Sequence, residues 1–335
     1  MSNPNETRSW GTPRPPEPTP EAAPDVEPLS LAEMREWQEP AVGEDAASLV
    51  GRVVGSYRVV RLLGEGGAGA VYLAEHPVIG SRVAIKVLHD DLSASRSMLE
   101  RFVQEARAAN RIPNPHIVRV SDFGQTDDGR HYAVMEYLDG RPLDALLAAE
   151  SPLALGRAAR LLREAAEAMA AAHGADILHR DLKPENLYVE RRADGDFLRI
   201  LDFGIAKLRD PGKGAVRKTA TGLVLGTPLY CSPEQAAAET VGPATDIYSL
   251  GAVAYEVFAG RPPFSGNIVE ILVQKSTRDV APLAGIRGDL PVELCRLVDR
   301  MLSRAPAARP ASMAEVARQF ARWERTAPDR TAEML

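Results

Sequence analysis

The sequence predicts an α+β protein of two lobes, a small β-rich lobe followed by a larger, mainly helical one. Three observations predict it. Short apolar runs beginning at Tyr57 are broken by a glycine cluster, as strands joined by a tight turn would be. The run Val134 to Gly140 reads as a hinge strand that closes this first lobe. Beyond it, an alanine-rich stretch from Leu155 to Gly174 puts Leu161, Leu162, Ala165, Ala166 and Met169 on one side of a long helix. A chain of 335 residues has room for two such lobes and an extension.

The extension comes first, over residues 1–50. Met1 to about Pro28 is rich in Pro, Glu, Thr and Ala and has no apolar period, so it is expected to be disordered. Within residues 29–37, Leu31, Met34 and Trp37 recur every three residues. This segment is either a weakly structured linker or a short amphipathic helix that docks on a partner or on the protein itself. The net charge of −6 argues against a broad nucleic-acid footprint. Cys231 and Cys295 show no metal-ligand spacing and fit a reducing cytoplasm. With no signal peptide and no long apolar run, the expectation is a soluble, cytoplasmic protein without membrane insertion.

In the small lobe (57–138), the strand Tyr57 to Leu63 leads into Gly64, Glu65, Gly66, Gly67, Ala68 and Gly69. Glycines at 64, 66 and 69 let backbone approach phosphates, because no side chain intervenes. The same spacing marks dinucleotide-binding turns, but those lead into a helix and carry an acid about 20 residues on. Here Val71 to Ala74 reads as a returning strand, so the glycines sit in a hairpin that can cover nucleotide phosphates. Val83 to Leu88 is a buried strand carrying one lysine, Lys86, suited to clamping phosphates. The carboxylate to steady it is Glu105, on a helix over 97–111 whose apolar stripe is Met98, Phe102, Ala106 and Ala109.

The segment His179 to Asn186 places an acid, Asp181, and an amide, Asn186, five residues apart on a tight loop, with Lys183 between them. Asp181 can accept a hydroxyl proton, Lys183 can touch a transferring phosphoryl group, and Asn186 can hold a metal. The strand Phe197 to Leu201 then ends in Asp202-Phe203-Gly204, an acid placed to hold Mg²⁺ against phosphates. Asp194-Gly195 signals a hairpin turn before that strand. Pro306 and Pro310 bracket a turn before a final helix over 312–325, and residues 326–335 read as a flexible tail.

These motifs, in this order from about Tyr57 to Trp323, resemble the Hanks-type (eukaryotic-like) serine/threonine protein kinases found in bacteria. Lys183 within His179 to Asn186 is similar to the serine/threonine branch. So are Gly226-Thr227-Pro228, Ser232-Pro233-Glu234 and the start of a central helix at Asp246 to Gly251. The resemblance implies a protein kinase fold with lobes over 57–138 and 139–325, and protein substrates bearing serine or threonine. It implies ATP and Mg²⁺, with Mn²⁺ as an alternative, and metal ligands Asn186 and Asp202. Around the nucleotide it places Val71, Ala84 and Lys86, with Met135 at the gatekeeper position. Backbone groups of Glu136 and Leu138 would bond adenine, and Tyr188 would lie beneath it. Arg309 would pair with Glu234.

The resemblance also implies regulation. Arg180 beside the catalytic acid calls for an anion, and a phosphate on Thr219 or Thr221 of the activation loop would supply it. Thr227 would bond Asp181 and Lys183 in the active loop. Two other function classes stay open, a nucleotide-binding scaffold without turnover and a small-molecule kinase. Phosphate transfer to a generic basic protein separates them.

Overall fold

A computed structural model describes residues 49–203 and 228–324. The segment 29–37, Gly204, Thr219, Thr221, Thr227 and the tail 326–335 lie outside these described residues.

The small lobe is an antiparallel sheet of β1 (Val53–Val54), β2 (Tyr57–Gly66), β3 (Gly69–Glu75), β4 (Arg82–Leu88), β5 (Val120–Gln125) and β6 (His131–Glu136), in the order β1-β2-β3-β4-β6-β5. One face buries Val59, Tyr72, Ala74, Ile85, Val87 and Val134. Against the other lie Phe102 and its neighbours, buried with Leu88 and Ala133. Phe102 belongs to α2 (Arg96–Arg111), which follows the single turn α1 (Asp90–Ser93). Strand β4 is thereby covered on both faces, which explains its near-continuous apolar sequence.

Leu49 is 2 % exposed and packs with Val54 and Val59. Residues assigned from sequence to the extension therefore contribute to the core of the small lobe. Removing residues 1–45 is expected to leave the melting temperature of the ATP-binding domain nearly unchanged. Removing residues 1–50 should cost a further ~2–5 kcal/mol, the usual loss for a buried leucine. Equal melting curves for the two truncations would show that Leu49 contributes nothing.

The large lobe holds α3 (Leu143–Glu150), α4 (Leu155–Gly174), α5 (Pro233–Ala236), α6 (Pro243–Ala259), α7 (Ile268–Thr277), α8 (Val292–Met301) and α9 (Met313–Phe320). A second sheet runs β7 (Gly140–Pro142), β8 (Leu187–Arg192) and β9 (Gly195–Ile200). α6 is buried along almost its whole length and forms the centre of the lobe against α4 and α8. The long helix occupies the expected span, whereas the last one ends at Phe320 rather than near residue 325.

Two other boundaries differ from expectation. The strand read from Val134 to Gly140 stops at Glu136, and Gly140 begins β7 in the other sheet. Leu138 is thus in a connection between lobes, where its backbone is not committed to a ladder. In the β8–β9 hairpin Arg192 pairs with Gly195, so the turn residues are Ala193 and Asp194. Gly195 carries the positive φ of 112°, and a Cβ there would meet the Arg160 guanidinium at 2.7 Å.

Candidate active site

The loop bearing Asp181 leaves α4 and returns as β8 through a 3₁₀ turn over Pro184–Asn186. Arg180 adopts φ 65°, a left-handed conformation that costs a non-glycine residue about 1–3 kcal/mol and persists only where its surroundings over-determine it. The surroundings are a buried carboxylate. Asp246, in the first turn of α6, accepts the backbone N–H of His179 at 3.0 Å and of Arg180 at 2.8 Å. The His173 ring nitrogen lies 2.8 Å from the same carboxylate.

His179 is fully buried between two further bonds. Its Nε2 lies 3.0 Å from the Leu201 carbonyl, and its Nδ1 accepts the N–H of Asp181 at 3.3 Å. Burial pushes its pKa below the ordinary histidine value, against the pull of Asp246. A neutral ring carrying its proton on Nε2 satisfies both partners. Asn186 Nδ2 donates to the Asp181 carbonyl at 2.8 Å, which leaves the amide oxygen for a metal. Lys183 Nζ stands 3.7 Å from Asp181 Oδ2.

Asp202 follows β9 with φ 42° and bonds Lys86 Nζ at 2.7 Å. Burial works against the charge on Lys86, but the field and hydrogen bond of Asp202 outweigh it and hold the ammonium above its usual pKa. Burial likewise pushes Asp202 up, and Lys86 holds it below the carboxylate range. Phe203 packs against the His179 ring at 4.9 Å, so the buried loop and the end of β9 share one core. The carboxylate expected from sequence to steady Lys86 is Glu105. Asp202 bonds the ammonium at 2.7 Å, and Glu105 lines the same cavity and adds to the field on Lys86.

That cavity encloses about 320 Å³. Gly64, Val71 and Ala84 line it from the small lobe, with Met135, Glu136 and Leu138 along the connection. Tyr188 lines it from below and donates its hydroxyl to the Gly140 carbonyl at 2.8 Å. Val71 pairs with Lys86 and Ala84 with Met135, so adjacent ladder positions carry the cavity's apolar wall and its cation.

Glu65, Gly66, Gly67, Ala68 and Gly69 form the hairpin end between β2 and β3. A Cβ on Gly69 would fall 2.0 Å from the Val87 carbonyl, whereas Gly64, Gly66 and Gly67 have nothing within 4 Å of theirs. Gly69 is thus demanded by the sheet, and the other three leave a bare backbone surface. The hairpin also excludes the dinucleotide-binding turn.

Sequence reasoning missed several residues that shape this site. His89 Nε2 lies 2.9 Å from the Gly66 carbonyl and ties down the hairpin end. Arg199, buried on β9, forms an ion pair with Glu136 and fastens the connection to the large lobe. Gln235 donates to the Arg180 carbonyl at 2.8 Å, joining α5 to the catalytic loop. Asp246, by contrast, was named from sequence as the start of the central helix, but its bonds to the His179 and Arg180 backbone were not.

Asp202 and the Asn186 amide oxygen are two oxygen donors, fewer than Mg²⁺ takes alone and suited to a metal carried on phosphates. A cavity with an apolar slot, a cation and these donors is the arrangement that nucleotide-dependent phosphoryl transfer calls for. The chain belongs to the protein kinase family, whose domain matches residues 57–321. It is 42 % identical over 268 residues to serine/threonine-protein kinase Pkn1 of Myxococcus xanthus, covering 79 % of this chain and 38 % of that protein. Against PknA of Mycobacterium tuberculosis the identity is 38 %, covering 76 % of this chain and 58 % of the relative. The chain therefore spans about two fifths to three fifths of these relatives' lengths. The crystal structure of the Mycobacterium tuberculosis PknI kinase domain superposes with a TM-score of 0.63 at 30 % identity, covering 82 % of this chain and 98 % of that one. Among the described residues no helix is long and apolar enough to cross a membrane.

Proposed function

We propose that this chain is an ATP-dependent serine/threonine protein kinase that acts in the cytoplasm within a signalling pathway. The observation that carries the reading is the convergence of Lys86 with Asp202, and of Asp181 with Lys183 and Asn186, beside one apolar cavity. Bound ATP would supply the γ-phosphoryl group, and Mg²⁺ (or Mn²⁺) would neutralise its charge. The adenine fits the apolar wall, with the Glu136 and Leu138 backbone at its edge and Tyr188 below. Lys86 gives its ammonium to the α- and β-phosphates, and Glu105 stands in the same cavity to steady it. Asp202 and Asn186 hold the metal. Asp181 orients the acceptor hydroxyl and takes its proton, while Lys183 lies close enough to share the charge on the phosphoryl group.

Arg180 supports activation by an anion. Its Nε is buried with no bonded partner among the described residues, and burial holds its pKa below the ordinary value. A phosphate on Thr219 or Thr221 fills that need, and Ile205 after the Asp-Phe-Gly motif favours threonine as acceptor. Thr227 keeps its hydroxyl for Asp181 and Lys183.

The test is transfer from Mg-ATP to a generic basic protein, with mass spectrometry of the kinase itself. Transfer is expected, with a loss of about 10²–10³ in Asp181→Asn, and phosphate on Thr219 and Thr221 but not Thr227. Nucleotide binding without any transfer would replace this reading by a scaffold.

A further inference from the structure

Lys275 is 0 % exposed, yet it sits on α7, a helix whose Val269 and Val273 face solvent. Its ammonium donates to one carbonyl, that of Leu229, at 2.9 Å. Two rings flank it, Tyr248 with its centroid at 5.0 Å and Phe264 at 5.2 Å. Among the described residues no carboxylate acts on its charge; burial pushes its pKa down to about 8, and the Cys231 thiol pulls the other way. A buried ammonium without a counter-charge costs the fold stability, and a leucine or methionine would fill the same space without that cost.

The carbonyl it holds belongs to the segment between the activation loop and α5. This segment is fixed at other points by ordinary means. Tyr230 donates to Glu256 at 2.6 Å, Ser232 and Gln235 form a capping box, and Glu234 is bonded to Arg309. Gln235 then reaches the Arg180 carbonyl, so the segment's position is relayed to the catalytic loop. The Leu229 carbonyl is the point where α7 grips the segment, and the grip is a charge.

We infer that Lys275 is a positioning residue for the protein substrate, setting the backbone of Pro228 to Cys231, which Gln235 ties to the loop bearing Asp181. The inference rests on the protein-kinase reading. Among the described residues the titratable groups facing Lys275 are the Cys231 thiol from the segment and the Tyr248 phenol from α6, and Arg309 also lies over the Tyr248 ring at 5.0 Å, bonded to Glu234. Tyr248 is pushed up by burial, beyond any working pH.

The test is Lys275→Met, of similar length and without the charge, measured for KM of peptide and of ATP separately, with melting temperature. KM for the peptide is expected to rise about tenfold, the worth of a modest charge-assisted hydrogen bond. KM for ATP should not move, and the melting temperature should hold or rise. A structural role alone would lower the melting temperature and leave peptide KM unchanged, overturning the inference. Should the variant fail to fold, wild-type protein gives the answer. Its peptide KM should climb as pH rises through about 8, where Lys275 loses its charge, with ATP KM flat; a flat peptide profile would overturn the inference. Absence of any transfer by wild type would instead remove the kinase reading beneath it.

Discussion

Lys86→Met and Asp202→Asn should each reduce phosphate transfer below detection while leaving the fold intact. Each removes one end of the 2.7 Å pair at the back of the cavity. Methionine keeps the length and apolar stem of Lys86 but offers nothing to the α- and β-phosphates. Asparagine keeps the shape of Asp202 but withdraws the charge that the metal needs. A single lost electrostatic contact of this kind costs about 10²–10³ in kcat, and each of these residues makes more than one. The loss of stability should stay below that of a fully buried pair, about 3–5 kcal/mol, because the Asp202 side chain is 49 % exposed although that of Lys86 is only 13 %. The measurement is transfer at saturating Mg-ATP, with melting curves and binding of a nucleotide analogue as controls. Clear transfer by either variant, contaminating kinases excluded, would remove the roles given to Lys86 and Asp202.

The parts of this site that were legible in sequence are those set by local pattern. The hairpin of Gly64 to Gly69, the strand of Lys86 and the helix Leu155–Gly174 follow from apolar period and glycine placement within a few residues. What was not legible is mostly partnership over long separations. The bond from Asp246 to the Arg180 backbone spans 66 positions, and that from Gln235 to Arg180 spans 55. No local period distinguishes a glutamine that reaches a catalytic loop from one that faces water. Glu105 and Lys86 illustrate the same limit. Both belong to the cavity, but the bond that Asp202 also gives the ammonium depends on how the end of β9 is set against the sheet. Lys275 is a further case, since a lysine carries no core signal of its own, although it stands four residues after the buried Ile271 on one face of α7. Strand ends shifted for a simpler reason, because a chain that passes from one sheet to another, as at Glu136 to Gly140, leaves one ladder before it joins the next, and an apolar run does not mark the break.

Arg309→Ala should be the most destabilising single change, at about 3–5 kcal/mol, the range for breaking a buried ion pair from one side. The side chains of Arg309 and Glu234 are 0 % and 5 % exposed. The pair is bidentate, with Nη1 to Oε1 at 2.7 Å and Nη2 to Oε2 at 2.9 Å. The guanidinium also donates to the carbonyls of Ser303, Ala244 and Arg304, at 2.8, 2.8 and 3.0 Å. Alanine would leave three backbone acceptors without that donor and the Glu234 carboxylate without its cation, with the Thr245 hydroxyl at 2.8 Å and the Glu234 backbone N–H still bonded to it. The pH dependence has a definite sign. Burial raises the Glu234 pKa, but Arg309 more than offsets it, so the folded-state value lies below the ordinary one. The pair's contribution is therefore full above about pH 4.3, the unperturbed glutamate value, and is lost as pH falls further. In the alanine variant burial dominates, Glu234 is raised, and its charge becomes a penalty that grows as pH rises through that raised pKa. The stability gap between wild type and variant should accordingly be larger at pH 7 than at pH 4.5 in urea unfolding. A gap that is small, or the same at both pH values, would show that Glu234 finds another cation once Arg309 is gone.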